Sequence, residues 1–156
     1  MTRLVSLALV LAACRGSSTQ EPVVADHRTP LPMSAKMALH QKEQMRDHLR
    51  AVQEIVAAIG KDDFKAVTVA SARIGWSERQ ATMCKHMGAG APGFAEAGEH
   101  FHKTADTIGV AAGRQDRAGV LAALDATLNT CTSCHETYRQ DVADVAAPDP
   151  AECSMH

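Results

Sequence analysis

Large apolar groups are scarce in this chain. Its 156 residues include one tryptophan, one tyrosine and three phenylalanines, and aromatics make up only 3%. That length suits one domain with a core, and a core so poor in aromatics must gain buried area from somewhere else, such as a bulky bound group. Runs of β-branched residues are few and Ala and Leu are plentiful, which favours helix. There is no basic patch, and the formal charge of −2 argues against a nucleic-acid partner. No nucleophile–base constellation is evident, so an enzyme is not expected. The one marked apolar run, Leu4 to Ala13, is too short to cross a membrane.

That run follows Arg3 and ends Leu11-Ala12-Ala13-Cys14, which resembles the bacterial lipobox. The resemblance implies that residues 1–13 are a lipoprotein signal peptide and that Cys14 is lipidated and becomes the first mature residue. Ordinary secretory cleavage near Ala13 is the alternative. Either route exports the chain, and the expected location is the periplasm, anchored to a membrane through Cys14. Residues 14–33 contain Gly16, Ser17, Ser18, Pro22, Pro30 and Pro32 without apolar periodicity and read as a flexible tether.

Residues 34–146 read as an all-α, antiparallel up-down four-helix bundle. A first helix from Ser34 to Gly60 sets Met37, Gln41, Met45, His48, Val52, Ile55, Val56 and Ile59 on one face. A second starts at Asp62 or Asp63, with Phe64, Val67, Ser71 and Ile74 inward. Gly75-Trp76 breaks its period, and Ser77 with Gln80 resembles a capping box, so this helix bends or restarts there. A third spans Gly93 to Ala112, with Phe94, Ala97, Phe101, Ala105, Ile108 and Ala112 aligned. A fourth begins at Asp116, carries Val120, Leu121, Leu124, Leu128 and Cys131 as its stripe, and is expected to reach about Val145. Residues 147–156, with Pro148 and Pro150, form an irregular tail.

The chemistry lies in Cys131-Thr132-Ser133-Cys134-His135, a C-x-x-C-H sequence, the attachment signature of covalent haem. Two thiols must add to two neighbouring vinyl groups, and residues three apart lie on nearly the same helix face. The adjacent His135 can then place an imidazole nitrogen on the iron. A dithiol redox motif would sit at a helix N-terminus after a strand, and a zinc site would need a second pair. Neither context is evident.

The motif stands about twenty residues from the C-terminus and continues Glu136-Thr137-Tyr138-Arg139. An aromatic and an Arg after C-x-x-C-H, on the last of four helices, resemble the cytochrome c prime family, the class II c-type cytochromes, over roughly residues 35 to 145. The resemblance implies one haem c between the first and last helices, and Arg139 near the proximal His or a propionate. Members either leave the distal position open and bind small gases, or fill it with a Met from the first helix and carry electrons. Met45 is the expected ligand, with His48 or no protein ligand as alternatives. Met37 shares that face as core, and His40 lies further round. Family members also dimerise through the first two helices, so a homodimer is implied.

Of five cysteines, lipid takes one and haem two, leaving Cys84 and Cys153. Each lies in a soft-donor cluster, Cys84-Lys85-His86-Met87 and Cys153-Ser154-Met155-His156. A disulfide, free thiols or a Cu(I) or Zn(II) site are the open readings. His100 and His102, flanking Phe101, read as surface residues. The leading expectation is electron transfer with redox partner proteins outside the cytoplasm. The alternatives are a five-coordinate NO- or CO-binding protein and a metal-handling module built on the two cysteine clusters.

Overall fold

The computed structural model describes residues 25–142. The signal peptide with Cys14, the first part of the tether and the tail with Cys153 lie outside the described residues.

Four of the five described helices begin at a side chain able to hold the free amides of a first turn. Helix α1 (Ala35–Ile59) starts at Ser34, whose hydroxyl accepts the Met37 amide at 3.2 Å. Asp63 accepts from Ala66 at 3.0 Å and opens α2 (Phe64–Ala72). Ser77 accepts from Gln80 at 3.2 Å and opens α3 (Glu78–Gly88). Gly93 precedes α4 (Phe94–Gly113) at φ +80, a left-handed conformation suited to glycine; a Cβ there would also lie 2.8 Å from the Tyr138 hydroxyl. Asp116 accepts from Gly119 at 2.8 Å and opens α5 (Arg117–Thr137).

Helices α2 and α3 are the broken second helix read from Gly75-Trp76. A Cβ on Gly75 would strike the Asp106 carboxylate, which instead accepts the Trp76 amide at 3.1 Å. With α2–α3 taken as one position, the described residues form an all-α bundle of four. α1 packs on α2, α2 and α3 pack on α4, and α4 packs on α5, whereas α1 and α5 barely touch.

Two apolar clusters fill this frame. One, at the end carrying the α1–α2 and α4–α5 turns, contains Ala51, Ile55, Ile59, Val67, Ile74, Phe101, Ala105, Ile108, Val120 and Leu124, with Cys131 against it. The other contains Leu31, Met33, Met37, Met87 and Phe94, with Met83, Cys134 and Tyr138 against it.

The structure corrects three expectations. The stretch read as tether ends in a strand, β1 (Thr29–Met33), whose Leu31 and Met33 are each 1% exposed. Its parallel partner is β2 (Tyr138–Val142), Thr29 opposite Tyr138 and Met33 opposite Val142. A two-stranded ribbon has only edge strands, the setting that tolerates Pro30 and Pro32. The last helix therefore stops at Thr137 rather than near Val145. Tyr138 turns extended, stacks edge-to-face on Phe94 at 5.3 Å, and its hydroxyl donates to the Pro92 carbonyl at 2.9 Å. Finally, Val56, Leu121 and Leu128, read as inward, are exposed. The buried line of α5 is Val120, Leu124 and Thr127, because α5 leans on α4 and leaves its α1 side open.

Candidate haem site

Between the two clusters lies a cavity of about 320 Å³. All four bundle positions contribute to it: Met45 and His48 from α1, Met83, Cys84 and Met87 from α3, Phe94, Phe101 and His102 from α4, and Cys131, Cys134 and His135 from α5. Cys131 rests on one cluster and Cys134 on the other, so the two thiols bracket the gap. A second cavity of about 420 Å³ adjoins it and shares Met45, Phe94, Cys134 and His135. Its other walls include Asp26, Arg28, Gln41, Arg139 and Gln140.

Burial pushes both motif thiols above the usual cysteine range, and Cys131 adds to the effect at Cys134. The pair lies in the last turns of α5, at the negative end of the helix dipole, and a strand follows rather than precedes it. A dithiol redox centre needs the reverse, a depressed pKa at a helix N-terminus. Two thiols facing one void beside an exposed imidazole suit attachment of a flat group that fills the void.

The polar atoms around the gap agree with that fit. Arg139 lines the second cavity next to His135, and its Nε is buried without a partner while Nη1 reaches Asp141 at 3.4 Å. A group carrying carboxylates, as haem does, would satisfy it. His48 stacks on Phe101 with centroids 4.9 Å apart and meets His102 edge-on at 5.6 Å. Burial first, then His102, lowers the His48 pKa to about 4, so its ring is neutral at pH 7.

Met37, Met45 and His100 lie where the sequence placed them, and His102 does not. Met37 is core at 1% exposed, whereas Met45, at 37%, stands at the rim where both cavities open. His100 is exposed as expected, but His102 is only 4% exposed. Its Nδ1 meets the Ile74 carbonyl at 2.8 Å, which satisfies a buried imidazole. Position offered one clue, since residue 102 is one step round the helix from Phe101, while residue type suggested solvent. Cys84 is buried in the cavity wall, its Sγ so close to α4 that a Cβ on Gly98 would approach it to 2.6 Å. Burial, with Cys134 second, pushes its pKa up to about 11. His86 bonds the Thr82 carbonyl at 2.9 Å on its own helix, so it does not converge with Cys84. Among the described residues no three His, Cys, Asp or Glu side chains are grouped to hold a metal ion.

A family model described as cytochrome C' matches residues 89–139, which span α4, α5, the C-x-x-C-H sequence and the first two residues of β2. That segment belongs to the cytochrome c′ family. No curated protein and no solved structure gives a match. The match supports a c-type haem cytochrome, and covalent haem is the cofactor that this family implies. Its helical bundle agrees with the four-helix architecture of the family.

Proposed function

We propose that this protein carries one haem, attached through Cys131 and Cys134 and ligated by His135 and Met45, and that it transfers electrons to and from redox proteins outside the cytoplasm. The supporting observation is that Met45 and His135, from the first and last bundle positions, line both adjoining cavities. When bound, the haem supplies an iron that alternates between ferrous and ferric states. The chain's own residues set the surroundings. Met83, Met87 and Phe94 would keep water off the group, and a low dielectric with a thioether ligand would favour the ferrous form. Arg139, with its unpartnered Nε, would hold a haem carboxylate. Lipid on Cys14 would hold the carrier at a membrane surface, and changing Cys14 to Ser should move it from the membrane fraction to the soluble exported fraction.

The distal ligand decides between carrier and gas binder. Oxidised protein with Met45 on iron shows the weak near-infrared band of Met–Fe(III) and binds CO slowly. Met45→Ala should give a high-spin, fast-binding haem, whereas His48→Ala should stay low-spin. A wild-type protein that is high-spin and takes up NO or CO readily would replace electron transfer with the gas-binding reading.

A further inference from the structure

The carbonyls at the end of a helix lack partners from the next turn. In α5 the Tyr138 amide returns to the Cys134 carbonyl, but residue 139 already belongs to β2 and supplies no helical amide to His135. Its carbonyl is met instead from 107 residues away, by Arg28 Nη1 at 3.2 Å. Arg28 is itself fixed. Asp26 grips it in a fork, Nε to Oδ1 at 2.9 Å and Nη2 to Oδ2 at 2.6 Å, and also accepts the Arg28 amide at 3.1 Å. The next residue, Thr29, begins β1 opposite Tyr138, and buried Leu31 and Met33 pin the strand. From β2, Gln140 Nε2 donates to the Ala38 carbonyl at 3.3 Å and to the Gln41 side chain, one turn before Met45 on α1.

We infer that residues 26–33 form a proximal brace in which Arg28 is a positioning residue for His135 and the β1–β2 pair ties that ligand's backbone to α1. The inference rests on the reading of His135 as an iron ligand. This contact makes the segment before the bundle, 107 residues away in sequence, part of the haem centre.

The test is proton NMR of the oxidised, haem-loaded full chain, with hydrogen exchange of the β2 amides. Arg28→Ala should displace the hyperfine-shifted haem-methyl and His135 ring signals. It should also speed exchange of the β2 amides about tenfold while α2 amides stay as in wild type. Asp26→Asn, which loosens the fork but keeps the guanidinium, should act in the same direction with a smaller effect. If wild type shows shifted imidazole signals and Arg28→Ala leaves them and the β2 exchange in place, the brace is wrong and the ligand assignment stands. If wild type shows no shifted imidazole signals from His135, both fall.

Discussion

The two ends of the bundle are built from different materials. At the turn end, Ile55, Ile59, Val67, Ile108 and Val120 interlock with Ala51, Ala58, Ala70, Ala105 and Ala112. Small and branched side chains there let helices approach closely and fill space by themselves. At the cavity end the walls are Met45, Met83, Met87, Cys84, Cys134, His48, His102 and Phe94, with Cys131 and Phe101 shared between cavity and turn-end cluster. Flexible thioethers and thiols conform to a guest rather than to each other. The scarcity of aromatics is thus uneven: the chain concentrates large and polarisable groups where a bound group replaces its own core.

The largest effect should follow from emptying that end. Replacing Cys131 and Cys134 together with Ala should leave no haem after acid–acetone extraction and no haem stain on a denaturing gel. The midpoint of thermal unfolding should fall by about 10 °C or more, because the cavity walls lose their main apolar partner. Haem staining that survives the double change would sink covalent attachment at this motif and with it the contrast between the two ends.

A single cut at each end should sharpen the contrast. Ile55 is fully buried in the turn-end cluster, so Ile55→Ala should cost about 2–5 kcal/mol in denaturant unfolding and leave the haem spectrum untouched. Met87, 7% exposed on the cavity wall, should show the opposite balance. Met87→Ala should shift the optical bands and cost less stability, since a flexible side chain beside a cavity leaves a smaller new void. Equal spectral changes in both variants would mean that the two ends are one coupled core.

What could be read from residues alone follows the same division. Local signals carried the helices: Ser34, Asp63, Ser77 and Asp116 cap within three residues of themselves, and the break at Gly75-Trp76 is visible as lost periodicity. The C-x-x-C-H spacing is likewise local. The missed features are those with a distant partner. The β1–β2 pair joins segments more than a hundred residues apart, and Pro30 and Pro32 disguise the two-residue alternation of Leu31 and Met33. His102 is buried because the Ile74 carbonyl, 28 residues earlier, receives it. The outward turn of Leu121 and Leu128 reflects the poor contact between α1 and α5, which no single helix records.

The smallest effect tests whether the cavity floor stays dry. His48 is held neutral by burial and by His102, with its pKa near 4 against about 6.5 for an ordinary histidine. Between those values the unfolded chain binds a proton that the folded protein refuses. Stability should therefore fall as pH drops from about 6.5 toward 4, and change no further through this group below that. Phe at position 48 would keep a ring against Phe101 and remove the proton. Urea unfolding of the haem-loaded protein at pH 7 and at pH 4.5 should then cost wild type ~2 kcal/mol more than His48→Phe. Carboxylates titrate in both proteins, so the difference reports His48 together with its coupling to His102. Parallel losses in the two proteins would mean that water reaches His48, and the cavity would then be a wet cleft rather than an apolar seat for haem.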